Sequence, residues 1–529
     1  MKNNIIKAGL FVGMLLTLGS CKKALEDKFI DPDKSTKTSL AGFLTAALNN
    51  NRVKPMYWNM RTFYFLQPAL YSQTIYFPIS NSMYQQSDGY VGGYWTDFYS
   101  PSANGSGILG IYRAMETSYA ALPASDQANQ KILLEAAKVV LYDQAAQMVD
   151  LWGDIPYSEA GSLEATSTIK NPKFDEQAAL YNTLISNLDA SNTYFSTASA
   201  NPAFSKADIL LSGNIDKWRR YANSIRLRLL MRISKVSEST AQTAVMAMLN
   251  NPSQYPLVDG GNNANYTPGT SDILLQQLTN NTSNLNSAFT EGSLFAPDYM
   301  LNTAMVPAND PRIPVIFDKY GKTVNGVFVQ NPTYKAMPIT FTAADQDLHN
   351  TEYAIMDSVT FAQNPSLPGP VITASEVNFM KAEANQRWGS AAAAQTAYET
   401  AVKQSVTFYY YLNNLNNTGL KKTTKPDDAT INTFVTASNI AFTGTATQKL
   451  ALIYVQKWLH FGFLQANQAW AEYRRTGYPQ LTFPTATLSN YTTPPTRLTY
   501  PTVETSYNTA NYQAVKAKDT RTTKIFWQP

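Results

Sequence analysis

Cysteine and histidine are nearly absent from this chain of 529 residues. Cys21 is the only cysteine, so no intrachain disulfide can form and the fold has to depend on its hydrophobic core. The only histidines are His349 and His460, whereas a hydrolytic triad needs one histidine beside a nucleophile and an acid. The sequence also contains no G-x-S-x-G, H-E-x-x-H or Walker motif. The composition therefore argues against common hydrolytic, metalloprotease and nucleotide-binding sites.

Charged residues and long apolar runs are scarce as well. Only 15% of the residues are charged and the net charge is +4, which gives no general electrostatic reason to bind nucleic acid. After the first 20 residues, no run approaches the roughly 18 apolar residues that a transmembrane helix needs. The sequence thus predicts neither a nucleic-acid partner nor a second membrane segment.

The first residues have the layout of a bacterial export signal. Lys2 and Lys7 give a positive start, an apolar run of about a dozen residues follows, and Leu-Gly-Ser precedes Cys21. This ending resembles the lipobox of bacterial lipoproteins, in which the signal is cut before the cysteine and the thiol receives lipid. We therefore predict a cleaved signal peptide over 1–20 and a lipid-anchored tether over 21–38. The alternative is an ordinary secretion signal with an incidental cysteine.

Apolar periodicity predicts a mostly helical protein. Helices are expected from about Ser39, and then over 128–156, 174–195, 216–234, 374–389, 390–409 and 446–479. The region 250–370 is rich in Asn, Pro and Gly and is read as irregular, with a few short strands in 320–345. The last 50 residues show no helical period. Paired helices with short Gly/Pro stops favour an αα-repeat scaffold, and an irregular helical bundle is the alternative.

Aromatic residues are the abundant feature, and they concentrate in one window. Between 57 and 99, 14 of 43 residues are aromatic, against 12% of the whole chain. Residues 63–77 are expected to be buried, whereas the Asp-Gly and Gly-Gly pairs of 81–99 suggest an exposed loop. Exposed aromatic rings with nearby carboxylates and amides suit a neutral sugar. The candidate ligand-binding residues are Trp95, Tyr94, Tyr90, Asp88, Tyr84 and Trp58. The alternative is that Trp95 and Tyr94 only anchor the segment to the helices.

Four stretches, in this order, resemble the SusD/RagB family, and within it the second SusD-like branch. They are QMVDLWGDIPYSEA (147–160), KWRRYANSIRLRLLMRIS (217–234), SEVNFMKAEANQRWG (375–389) and QKWLHFGFLQANQAWAEYRRTGYPQL (456–481). The physical reading of these stretches is structural: helix stops, helix ends, and arginines that pair with neighbouring helices. Together with the lipobox at Cys21, the order and spacing of these stretches extend the resemblance over most of the mature chain.

The resemblance implies a surface lipoprotein of the outer membrane that faces the cell exterior. It implies one domain over 39–529, with a tetratricopeptide-like αα-superhelix of four helix pairs and a loop-rich region packed on it. Ligand-binding loops are expected over about 57–104 and 250–370, with a second wall of the site from 280–335. The family captures glycans for a SusC-like TonB-dependent transporter, is not enzymatic and needs no cofactor.

Two other classes of function stay open at this stage. A glycoside hydrolase or lyase needs only two suitably spaced carboxylates, and no sequence pattern can exclude such a pair among 38 acidic residues. A structural adhesin would bind no soluble ligand. The acidic stretch 345–357 lacks the glycine and glutamate spacing of an EF-hand, so no metal site is predicted.

Overall fold

The computed structural model describes residues 39–76, 83–261, 266–278, 285–292, 295–484 and 491–529. The predicted signal peptide, the tether and Cys21 lie outside these ranges. Within them, no helix is long and apolar enough to cross a membrane.

Helices dominate the described chain, as the apolar periodicity predicts. The first half contains α1 Leu40–Leu48, α2 Tyr57–Asn59, α3 Pro68–Tyr71, α4 Asp88–Tyr99, α5 Ile108–Ala120, α6 Ala124–Trp152, α7 Leu163–Thr166, α8 Gln177–Phe195, α9 Pro202–Ala207, α10 Ile215–Ile233 and α11 Glu238–Asn250. The second half contains α12 Pro268–Ser271, α13 Leu285–Glu291, α14 Ile313–Ile316, α15 Ala343–His349, α16 Ala374–Trp388, α17 Ala391–Asn414, α18 Asp428–Val435, α19 Ala446–Phe461, α20 Ala466–Thr476, α21 Thr502–Tyr507 and α22 Thr509–Tyr512. In the part of the chain that the structure describes, π-helical turns cover Met60–Tyr64, Tyr299–Met305 and Ser358–Ala362, and Lys516–Lys518 is a 3-10 turn.

The long helices pack as four neighbouring pairs: α5 with α6, α8 with α10, α16 with α17, and α19 with α20. Helix α6 also packs on α8, and α16 packs on α19, which joins successive pairs. The expected tetratricopeptide-like scaffold is therefore confirmed. Its buried residues form one cluster that extends from Leu40 to Trp527.

The strands are short and form two-stranded antiparallel pairs. They are β1 Ile155–Pro156 with β2 Phe174–Asp175, β3 Ile273–Leu275 with β8 Gly369–Ile372, β4 Phe317–Asp318 with β7 Ile355–Met356, and β5 Gly321–Val324 with β6 Val327–Gln330. The hairpin of β5 and β6 confirms the strands expected in 320–345. The other described residues of 250–370 form short helices and strands connected by loops.

The continuous helix predicted over 446–479 is wrong, because the chain breaks after Phe461. Gly462 has a φ of +48°, which favours glycine, and it follows the last residue of α19. A Cβ atom at this position would lie 2.8 Å from the Tyr409 hydroxyl. The chain resumes as α20, which ends at Gly477 in the left-handed conformation. Two helices therefore form the fourth pair.

Arginines of α10 connect this helix to its neighbours, as the sequence analysis predicts. Arg228 forms two charge-assisted hydrogen bonds with Glu376 of α16, at 2.6 and 2.8 Å. Its other guanidinium nitrogen lies 3.3 Å from Asp143 of α6. All three side chains are buried. Because a buried charge without partners is costly, these contacts fix the relative position of three helices.

A second buried network joins the last two helix pairs. Arg475 of α20 bonds both carboxylate oxygens of Glu383 in α16, at 2.7 and 2.6 Å. Arg475 also contacts Glu472, which accepts hydrogen bonds from Lys457 of α19 and Arg232 of α10. Burial opposes ionisation of Glu383, but the Arg475 guanidinium holds the pKa of this carboxyl below its usual value. The network is thus ionised and links four helices.

Candidate functional site

The segment expected as an aromatic loop is a helix. Residues 88–99 form α4, and its apolar side chains at 91, 94, 95 and 98 recur at helical spacing on one buried face. A Cβ atom added at Gly89 or Gly93 would meet no other atom within 4 Å, so both glycines lie on the open side. The loop prediction is wrong because burial of one face outweighs the weak helix propensity of the glycines.

Trp95 and Tyr94 are core residues, and their predicted exposure is wrong. Tyr94 is 2% exposed and stacks on Phe63 with ring centroids 3.6 Å apart. Trp95 is 1% exposed, packs edge-on against Trp152, and donates from Nε1 to Glu504 at 3.2 Å. Neither ring offers a free face to a ligand. They hold α4 against the scaffold, which is the alternative left open by the sequence.

Tyr84 is also buried, so the prediction that it is an accessible ligand residue is wrong. Its ring contacts Tyr71 and Phe483 at centroid distances of 6.2 and 6.1 Å. Burial raises the pKa of Tyr84, as expected for a phenol enclosed by apolar groups. The residue closes the core beside α4.

Trp58 and Tyr90 form the accessible aromatic pair. Trp58 lies in α2 and Tyr90 in the first turn of α4, and their side chains are 44% and 40% exposed. Their ring centroids are 6.1 Å apart with an interplanar angle of 89°, an edge-to-face contact. This contact fixes two large rings at the surface. Such a pair provides a rigid apolar platform that costs little conformational entropy on binding.

Polar groups adjoin the platform. Tyr57, next to Trp58, donates its hydroxyl to the exposed Glu291 of α13 at 2.5 Å, and this bond raises the pKa of Tyr57. Arg61 Nε lies 3.7 Å from the same carboxylate. Asp88, which starts α4, is exposed and accepts from Gln86 Nε2 at 3.2 Å. We call Trp58, Tyr90, Tyr57 and Glu291 the aromatic platform site. Asp88 precedes Tyr90 by two residues on α4, a spacing at which helical side chains do not face each other, so it lies apart from the two rings.

Two members of the aromatic platform site, Tyr57 and Glu291, were not predicted from the sequence. Tyr57 lies inside the aromatic window of the sequence, so that window could have indicated it. No sequence pattern indicates Glu291, because its contact with Tyr57 joins residues 234 positions apart. Glu291 does belong to the region 280–335, which was expected to supply the second wall.

A groove of about 430 Å³ lies on the glycine side of α4 and includes Asp88. Its opposite wall is formed by 501–503. A Cβ atom at Gly92 would lie 3.4 Å from the Cβ of Pro501, so the small residue permits this close approach of helix and chain. The groove extends the accessible surface beside Asp88.

The histidines do not form a catalytic group in the described chain. His460 is buried between the hydroxyls of Thr373 and Ser405, at 2.6 and 3.0 Å. His349 pairs with Glu352 at the surface. Within the described ranges, no three His, Cys, Asp or Glu side chains are grouped so that they could hold a metal ion.

Comparison with known proteins identifies the family. The profile of the SusD-like family described as "Starch-binding associating with outer membrane" matches residues 33–501. The chain belongs to this SusD-like family. The match covers all four long-helix pairs and the aromatic platform site. No curated protein sequence matches the chain.

Solved structures of SusD-like proteins share the fold. A protein described as a chitin-binding protein is 22% identical, with a TM-score of 0.72 over 93% of this chain and 100% of that chain. A chitin-binding SusD homolog from Flavobacterium johnsoniae is 19% identical, with a TM-score of 0.67 over 92% and 98%. A SusD homolog from Bacteroides uniformis is 21% identical, with a TM-score of 0.66 over 92% and 99%. SusD-like membership supports a glycan-binding role at the outer membrane.

Proposed function

We propose that this SusD-like protein captures a neutral oligosaccharide on the aromatic platform site. The observation that carries the proposal is the exposed edge-to-face pair of Trp58 and Tyr90. The apolar C–H face of a sugar ring can pack on these rings, while Glu291 and the Tyr57 hydroxyl lie beside them to bond its hydroxyl groups. Two structural neighbours are described as chitin-binding, which makes chitin oligosaccharides the first probes.

A calorimetric titration tests this proposal. The protein is titrated with chitohexaose and maltohexaose, and the better ligand is then used with Trp58→Ala and Tyr90→Ala. By analogy with base stacking, loss of one stacked ring costs about 1–3 kcal/mol, so each variant should bind roughly ten- to a hundredfold more weakly. Tyr507→Ala is the matched control, since Tyr507 is 77% exposed and belongs to α21 rather than to the platform. Equal binding by all three variants would contradict the assignment.

We further propose that the protein is anchored by lipid on Cys21 and faces the cell exterior. The signal layout before Cys21 and the family's association with the outer membrane support this reading. Cys21→Ala should block lipid attachment and release the protein from membranes, since stable anchoring depends on attached acyl chains and the chain has no other cysteine to carry them. Protein that still sediments with outer membranes after a high-salt wash would contradict the anchor. Protease digestion of intact cells then tests the orientation.

The proposed partner is a SusC-like TonB-dependent transporter. Family membership is the support for this proposal. Mild detergent extraction from the native host should recover the two proteins together. Recovery of this chain alone, with the transporter intact in the same extract, would contradict it.

A further inference from the structure

A second cleft lies away from the aromatic platform site and shares no lining residue with it. It has a volume of about 510 Å³ and is bounded by the π-helical turn Tyr299–Met305, residues 438–444, α19 and residues 478–480. None of the described side chains that line it is charged. The volume falls within the usual range for small-ligand sites. A charge-free lining favours a neutral ligand.

Gln456 supplies a fixed polar group to this cleft. Gln456 lines the cleft, and only 3% of this residue is exposed. Its Oε1 accepts a hydrogen bond from Arg312 Nη2 at 2.7 Å. A guanidinium only donates, so this contact determines which end of the amide faces Arg312. The amide NH2 donates to no residue of the described chain and is the polar group left for the cleft.

The arginine behind Gln456 is itself held rigidly. Arg312 is fully buried, forms a fork of hydrogen bonds with Asp310, and donates to Ser405 Oγ at 2.9 Å. The Gln456 amide is therefore positioned before any ligand arrives. A preorganised donor loses little entropy when it binds.

Two other glutamine amides at the cleft each use one polar group in a hydrogen bond within the protein and leave the other group for a ligand. Gln448 accepts from the Thr445 backbone N–H through Oε1, which leaves its NH2 group. Gln480 donates from Nε2 to the Gly477 carbonyl, which leaves its Oε1. The cleft thus offers donors at Gln456 and Gln448 and an acceptor at Gln480. Hydroxyl groups, which donate and accept, match this set.

Aromatic and aliphatic surfaces complete the lining. Tyr299 and Tyr478 both contribute rings, and the half-buried Leu452 and Val455 contribute apolar surface from α19. We propose that this cleft is a second ligand site, specific for a neutral polyhydroxylated molecule such as a short oligosaccharide. The proposal does not depend on the aromatic platform site. An uncharged peptide is the competing occupant.

Saturation-transfer NMR tests the second site with the full chain. The Trp58→Ala/Tyr90→Ala protein removes the platform rings, and the probes are chitotetraose, maltotetraose and the N-acetylated, C-amidated tetra-alanine peptide. We expect saturation transfer to at least one oligosaccharide in this background. Gln456→Glu keeps an acceptor for Arg312 but replaces the NH2 donor with a carboxylate oxygen. This change should weaken oligosaccharide binding about three- to tenfold, the usual effect of one lost hydrogen bond.

Two further variants keep the test decisive. Ala451→Trp, at a half-exposed position of α19, should fill the cleft and abolish the signal even if Gln456→Glu fails to fold. Gln242→Glu makes the same chemical change at an exposed position of α11 and should leave the signal unchanged. Absence of transfer to both oligosaccharides in the platform double variant overturns the proposal. Transfer that persists in Ala451→Trp, or transfer to the peptide alone, also overturns it.

Discussion

Trp58 and Trp95 differ in what surrounds each indole. The Trp95 ring packs edge-on against Trp152 and Tyr500 and donates to Glu504, so it is enclosed on all sides by the core. Trp58 contacts Tyr90 through one ring edge, and 44% of its side chain is exposed. The two residues therefore have separable roles, stability for Trp95 and binding for Trp58.

Replacing each tryptophan by alanine should separate these roles. Trp95→Ala removes a fully buried indole and should lower the free energy of unfolding by about 3–5 kcal/mol. Trp58→Ala should change it by no more than about 0.5 kcal/mol, because surface substitutions are usually small. Urea denaturation measures both. A stable Trp95→Ala protein with weakened oligosaccharide binding would restore Trp95 as a ligand residue.

The buried His460 makes stability depend on pH. Burial lowers the pKa of His460 to about 3, whereas an unfolded histidine titrates near 6.5. The stabilisation is complete above about pH 6.5 and declines as the pH falls, because only the unfolded chain gains the proton.

This effect should be visible in urea denaturation at pH 7 and pH 5. The wild-type protein should lose about 2 kcal/mol more than His460→Gln between these values, at about 1.4 kcal/mol per pH unit below 6.5. His349→Gln, at a partly exposed histidine, is the matched control and should follow the wild type. Parallel pH dependence of the wild type and His460→Gln would contradict the prediction.

Individual accessibility was the least predictable property of the site. The sequence placed Trp58 and Tyr90 correctly in an aromatic window, but it grouped them with Trp95 and Tyr94. The difference depends on distant residues: Trp95 is covered by Glu504, which is 409 positions away in the sequence. No local pattern carries this information. The residue types predicted that aromatic rings are concentrated in this part of the chain. Tertiary contacts determine which of these rings remain accessible.

The helix pairs are joined by buried ion pairs as well as by apolar packing. Arg475 and Glu383 connect α20 to α16, and both side chains are fully buried. An ion pair of this kind is sensitive to the loss of one partner, because the other charge is left buried without compensation. It therefore specifies how the third and fourth helix pairs meet.

Removal of one partner should reveal this coupling. Arg475→Met leaves Glu383 and Glu472 without their main cation and should destabilise the protein by about 3–5 kcal/mol. Lys425→Met is the control, because its i,i+3 pair with Asp428 lies at the surface and is worth at most about 0.5 kcal/mol. Chemical denaturation compares the two. Equal midpoints would show that the network does not hold the helices together.

Helices were predictable where apolar residues recur at helical spacing, as in α6, α8, α10, α16 and α17. The prediction failed at two places for opposite reasons. In α4 the glycines suggested turns, although one buried face is sufficient for a helix. At Gly462 a single positive φ divides a stretch whose apolar spacing continues on both sides. Both outcomes depend on packing against other elements, which a local pattern does not contain.

At the scale of the whole molecule, the last residues close the core over the start of the scaffold. Trp527 is fully buried and donates to Asp150 in α6 at 2.8 Å. Leu498 donates its backbone N–H to the carbonyl of Leu151, and Trp152 Nε1 donates to the carbonyl of Thr499. The segment 491–529 therefore covers the end of the longest helix.

Deletion of 491–529 should abolish cooperative folding, since it exposes the Trp152 region and leaves Asp150 without a partner from Trp527. Thermal melting followed by circular dichroism measures this. Replacement of 323–328 by Asn-Gly is the control, because it removes two exposed residues from each strand of the β5–β6 hairpin and keeps the two-residue Asn-Gly turn. This control should melt like the wild type. A deletion variant with a sharp transition at the wild-type temperature would contradict the prediction.

The position of this closing segment also affects biosynthesis. Its contacts to α6 span 347 and 377 residues, so they can form only after nearly the whole chain has been made. At about 5–20 residues per second, synthesis of the 377 positions from Asp150 to Trp527 takes roughly 20–75 s. During that interval the end of α6 has no cover, and its tryptophan is available to chaperones and proteases. Translation that stops early leaves a product with this surface open, so quality control can distinguish finished molecules from unfinished ones.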